Sequence, residues 1–133
     1  MLKEKTAKNY SENLLINCAE SMLYGANEEY HLELEQCALD TMASFGGGMG
    51  VGSVCGALTG ALAAIGVMIT KDKTLDKELR KEITVEFYQK FQERLGSDNC
   101  QALKEKYWTD ELRCRKVVEL SGEVLEEVIS KYR

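Results

Sequence analysis

Thirty consecutive residues between Asp40 and Lys71 carry no charge, and eight of the chain's eleven glycines lie between Gly46 and Gly66. A stretch of that length can span a bilayer. Gly46, Gly47, Gly48, Gly50 and Gly52 interrupt its first half, and each weakens a helix there. Its second half, Ser53 to Thr70, is rich in Ala and Gly and has no basic cluster ahead of it to set an orientation. The segment therefore reads as a central helix buried on all sides, with no membrane insertion expected. Gly52, Gly56 and Gly60 stand four apart, a smooth stripe on which neighbouring backbones can lie close.

Proline is absent from all 133 residues, so glycine supplies the punctuation elsewhere too. The apolar spacing predicts a first helix from Glu4 to Tyr24, burying Leu14, Leu15, Cys18, Ala19 and Met22 and stopping at Gly25. Asn27 is expected to cap a second helix that turns Tyr30, Leu34, Cys37, Ala38, Thr41 and Phe45 inward and ends at Gly46. Ser53 is expected to cap the central helix, and residues 71–73 form a charged break. Leu75, Leu79, Ile83, Phe87, Phe91 and Leu95 repeat every four residues through a long amphipathic helix that stops at Gly96. Ser97 then caps a short helix with Cys100, Leu103 and Tyr107 on one face. Thr109 caps the last, on which Cys114, Val117, Ser121, Val124 and Val128 face one way and which Lys131 and Arg133 close. No segment alternates like a strand. The expected fold is all-α: one helical domain over residues 1–133, a bundle of five to six helices around a buried Gly/Ala-rich centre.

Charge narrows the function. The net charge of −5 excludes a general nucleic-acid binder, which carries a basic face. Lys3, Lys5 and Lys8 imitate the start of a secretory signal, but polar residues follow instead of an apolar core, so a cytoplasmic location is expected. In that reducing compartment five cysteines point to catalysis, redox sensing or metal binding before a disulfide frame.

There is no CxxC pair, and His31 is the single histidine, so zinc-finger and ferredoxin-type local motifs are missing. Cys18, Cys37, Cys55, Cys100 and Cys114 are scattered over the predicted helices, where facing helices can still bring them together. Cys55 and Cys100 fall in first turns, where free backbone N–H groups and the helix dipole favour a thiolate; they are the candidate redox thiols. Cys37, between Leu34 and Thr41 in mid-helix, reads as core. The glycine run from Gly46 to Gly52 precedes a helix as a phosphate loop does, but it follows a helix and lacks the Gly-Lys-Ser/Thr ending.

Cys55-Gly56-Ala57-Leu58-Thr59-Gly60 forms a CGAxxG block. With Asn17-Cys18-Ala19 upstream, Asn99-Cys100 downstream and Cys114 beyond, the chain resembles the redox-active proteins labelled C_GCAxxG_C_C over roughly residues 10 to 130. The label writes the block as GCA where this chain has CGA. The resemblance selects Cys18, Cys55, Cys100 and Cys114 and omits Cys37. It implies a thiol-based redox protein whose four cysteines hold an iron–sulfur cluster or another thiolate-bound metal, or cycle between dithiol and disulfide. It further implies a redox or transporter partner. A non-catalytic accessory module linked to a transporter, with structural cysteines, stands beside it, and a homo-oligomer is open.

Overall fold

Two helices stand where the N-terminal pattern predicts one. The computed structural model describes residues 1–12, 15–71 and 77–132; the predicted Leu14 and Leu75, most of the charged break and Arg133 lie outside these. Helix α1 (Leu2–Glu12) ends early and α2 (Cys18–Tyr30) begins at a capping box, in which the Asn17 side chain accepts the Glu20 N–H and Glu20 accepts the Asn17 N–H. Two otherwise unpaired donors are satisfied there, so a new helix starts although the apolar spacing runs on. Leu15, expected inside, is 93% exposed.

Gly25 does not stop a helix. It lies within α2, where an added Cβ would come 2.9 Å from the Thr6 backbone, so its task is to let α1 lie against α2. The stop comes at His31, whose left-handed backbone donates its N–H to the Asn27 carbonyl. Asn27 likewise does not open the next helix: its side chain accepts the Leu34 N–H and fixes the chain reversal. Only the short α3 (Gln36–Asp40) and a series of turns follow, with Leu32, Leu39 and Met42 inward. Cys37, Thr41 and Phe45 are exposed, which overturns the reading of Cys37 as core.

A π turn at Gly48–Gly52 leads to α4 (Gly56–Lys71), the centre of the bundle. Ala57, Leu58, Ala61, Ala64 and Ile65 are buried against α2, α5 (Lys77–Leu95) and α7 (Arg115–Tyr132). Burial is incomplete, since Gly66 is exposed and Leu62, Ala63 and Val67 are half-buried. Gly60 backs directly onto the Ala19 backbone, whose Cα would lie 2.9 Å from an added Cβ, so Gly56 and Gly60 of the small-residue stripe form an α2–α4 seam, while Gly52 lies in the π turn. Ile83, Phe87, Phe91 and Leu95 fill the core from α5, and Gly96, at φ +93°, ends that helix as its pattern predicts. Helix α6 (Cys100–Tyr107) is capped by Asn99 rather than Ser97. Val117, Ser121, Val124 and Val128 are buried on α7 as expected.

The fold is all-α. Among the described residues the only β pairings are isolated bridges, Val54 with Asn99 and Thr109 with Arg113. No helix of the described residues is long and apolar enough to cross a membrane.

Candidate functional site

Each of four cysteines sits at the start of a different helix. Cys18 and Cys100 are the first residues of α2 and α6; Cys55 and Cys114 immediately precede α4 and α7. The two asparagines before Cys18 and Cys100 are N-caps, accepting the N–H groups of Glu20 and Ala102 at 2.9 Å. Cys55 and Cys114 give their carbonyls to the first turns of their helices, to Leu58 and Val118 at 3.1 Å in both cases. The Cys55 sulfur also accepts from the Ala57 and Leu58 N–H groups.

Loop hydrogen bonds bring these starts together. The Cys55 N–H donates to the Asp98 carbonyl at 2.8 Å, and the Cys100 N–H to the Ser53 carbonyl at 2.6 Å, so residues 53–55 and 98–100 are clamped side by side. Asn99 adds a bond to the Gly52 carbonyl at 3.2 Å. The Tyr10 hydroxyl accepts the Cys114 N–H at 3.2 Å, joining the last helix start to α1. All four cysteines line a single cavity of about 210 Å³. Tyr10, Lys104, Trp108 and Arg113 complete its wall, and Arg113 stacks on the Tyr10 ring, 4.4 Å from the ring centre.

Glycine makes this convergence sterically possible. A Cβ at Gly56 would lie 2.5 Å from the Cys18 sulfur, and one at Gly48 would lie 2.7 Å from Cys100 Cβ. Gly46 leaves room for the Asn17 side chain. The CGAxxG block thus has a physical reading. Cys55 supplies a sulfur, Gly56 admits the Cys18 sulfur, the Ala57 carbonyl accepts from the Ser121 hydroxyl at 3.0 Å, and Gly60 meets the Ala19 backbone.

The electrostatics correct the expectation of an activated thiolate at Cys55. Burial pushes the Cys55 thiol up to about 12, with the Cys18 sulfur adding repulsion, and the N–H groups of Ala57 and Leu58 only partly offset it. Burial likewise pushes Cys114 up to about 11, the neighbouring Cys18 adding to it and the Lys104 ammonium pulling the other way. Cys18 is raised for the same first reason. Desolvation of a buried anion outweighs a helix terminus here. All five cysteines are free thiols, and Cys37 stands apart on exposed α3. His31, exposed at the far end of α2, is not among the cavity residues. Among the described residues no three His, Cys, Asp or Glu side chains are grouped tightly enough to hold a metal ion.

A family model described as "Putative redox-active protein (C_GCAxxG_C_C)" matches residues 16–128, most of the chain. The chain belongs to this family. No curated protein and no solved structure matches it. The family match begins after α1, yet α1 supplies Tyr10 to the cavity wall. Tyr10, Asn17, Lys104, Trp108 and Arg113 are cavity residues that the sequence reading passes over. Asn17 was discoverable from its capping-box spacing to Glu20; the other four have no local signature.

Proposed function

We propose that the protein is a redox carrier in which Cys18, Cys55, Cys100 and Cys114 hold an iron–sulfur cluster. The observation that carries this reading is the arrival of four cysteines, from four helix starts, on one cavity. A single metal ion does not fit the described donor set, which lacks three ligands grouped around one point. A polynuclear cluster suits it better, because each iron takes its own thiolates and the protein sulfurs stand further apart. When bound, such a cluster supplies an electron-transfer couple.

Some of the chain's own residues offset the cost of negative charge in this cavity. Gathered thiols that resist ionising alone become thiolates readily once a cation stands among them. The Ala57 and Leu58 N–H groups hydrogen-bond the Cys55 sulfur, an interaction that stabilises thiolate and tunes a bound cluster. Lys104 and Arg113 are the only charged side chains among the cavity residues, and both are cationic. Dithiol–disulfide cycling is less well served, since thiols held at about 11 and about 12 are almost wholly protonated near neutrality and attack slowly. The reducing cytoplasm is the compartment this reading calls for.

Anaerobic purification or reconstitution, followed by absorption spectroscopy with iron and sulfide analysis, tests the proposal. A visible chromophore with matching iron and sulfide is expected. Serine in place of Cys18, Cys55, Cys100 or Cys114 should abolish or alter it, whereas Cys37→Ser should leave it intact. A folded, colourless, iron-free product would sink the reading and favour an accessory module with structural cysteines.

A further inference from the structure

The described residues expose nine large apolar side chains, and six of them belong to, or adjoin in sequence, the segments that line the thiol cavity. Trp108, 42% exposed, lines it. Leu15 and Leu112 immediately precede the lining residues Ile16 and Arg113, while Phe45 and Met49 flank Gly47. Val51, 80% exposed, crowns the π turn whose far end is tied to Asn99 and Cys100. Single exposed hydrophobics are ordinary on a protein surface, but their concentration in the segments that line one opening marks an interaction surface.

Charge says what kind of partner fits. The chain carries a net charge of −5, yet among the described residues no carboxylate lines the cavity and the two charged residues that do are Lys104 and Arg113. Asp110 and Glu111 follow Trp108 in the same turn but do not line it. Exposed apolar side chains beside two cationic cavity residues complement an acidic surface that has an apolar centre, and electrostatic complementarity of this sort chiefly speeds and orients encounter. Electron-transfer complexes are small and transient, which a patch of a few side chains suits.

We propose that the cavity mouth is the docking surface for a small acidic electron-transfer protein, with Met49, Val51, Trp108 and Leu112 in contact and Lys104 and Arg113 steering. The passage of the electron rests on the iron–sulfur reading; the docking does not. One electron moves per encounter between the partner's centre and the four-cysteine centre, and no bond forms or breaks in either protein.

Two measurements test this, with a [2Fe–2S] ferredoxin as the acidic probe and a basic cytochrome c as its charge-reversed counterpart. The chain has one tryptophan, so its indole N–H gives a single resonance in a 15N-labelled sample. Oxidised ferredoxin should shift or broaden that resonance together with the amides of Met49 and Val51. Affinity should weaken several-fold between about 20 and about 200 mM salt, as screening predicts. Val51→Ser and Leu112→Ser should also weaken it several-fold. Absence of these perturbations, perturbations confined to another face, or tighter binding of cytochrome c would overturn the proposal. In stopped flow, oxidation of reduced ferredoxin by the cluster-loaded protein should slow several-fold in the same variants, at unchanged midpoint potential. Transfer indifferent to both salt and Val51→Ser would refute the docking while leaving the cluster in place. Docking without transfer would support the surface and count against the cluster.

Discussion

Cys55 shows how opposing local effects settle at one residue. Its place before α4 supplies two N–H donors to the sulfur, which by themselves promote ionisation. It is also 4% exposed and shares its surroundings with the Cys18 sulfur, and those two influences win. In the reduced, metal-free protein, alkylation at pH 9 should therefore modify exposed Cys37 first and leave Cys55 and Cys114 largely unreacted. Per-residue mass spectrometry reads the order; a Cys55 midpoint near the free-thiol value of about 8.5 would contradict the burial argument. The position of Cys55 at a helix start was legible from the glycines and the Ala-rich run that follows, although the expected cap, Ser53, instead closes the π turn. The sign of its pKa shift was not, because it depends on what surrounds the sulfur, and the neighbouring Cys18 sulfur comes from α2.

At the level of elements, helices with strong four-residue repeats are where they were expected, and those bounded by weak signals are not. Helix α5 keeps its predicted face and its stop at Gly96 because Ile83, Phe87, Phe91 and Leu95 all enter the core. Residues 31–45 resist the same treatment: Leu32, Leu39 and Met42 bury, but left-handed backbone at His31 and Glu33 breaks the helix, and only the short α3 and turns follow. Glycines also divide by element. Gly60 faces the Ala19 backbone, which cannot yield without moving α2, whereas a Cβ at Gly66 would meet nothing within 4 Å. Gly60→Ala should thus destabilise by overpacking, on the order of 1–3 kcal/mol or more. Gly66→Ala should stabilise by about 0.5–1 kcal/mol through helix propensity. Paired urea unfolding curves check both, and equal effects at the two positions would show that the seam is not tightly packed.

For the whole molecule, the gathered thiols couple stability to pH. Cys55 and Cys114 have folded values near 12 and 11 against an ordinary value of 9.0, so the unfolded chain loses these protons first. Below about pH 9 both states hold the protons and their stabilising contribution is complete; it falls as pH rises through about 9 to 12. Thermal melts of the metal-free protein should fall in this window, and a Cys55→Ala, Cys114→Ala double variant should lose less of its stability across it. A loss equally steep in the double variant would assign the effect to lysine and tyrosine ionisation instead.

Some features of this protein needed nothing but the order of its residues. The all-α class, the Ala/Gly central helix, the long amphipathic α5 and the pairing of glycine with the CGAxxG cysteine all follow from short-range periodicity and steric size, which neighbours along the chain determine. Only the tertiary structure decided that Cys18, Cys55, Cys100 and Cys114 share one cavity, that Cys37 lies outside it, and that Tyr10, Lys104 and Arg113 form its wall. Those relations join residues far apart in sequence through loop hydrogen bonds and close backbone approaches. No local pattern encodes them; they exist once the helix starts meet.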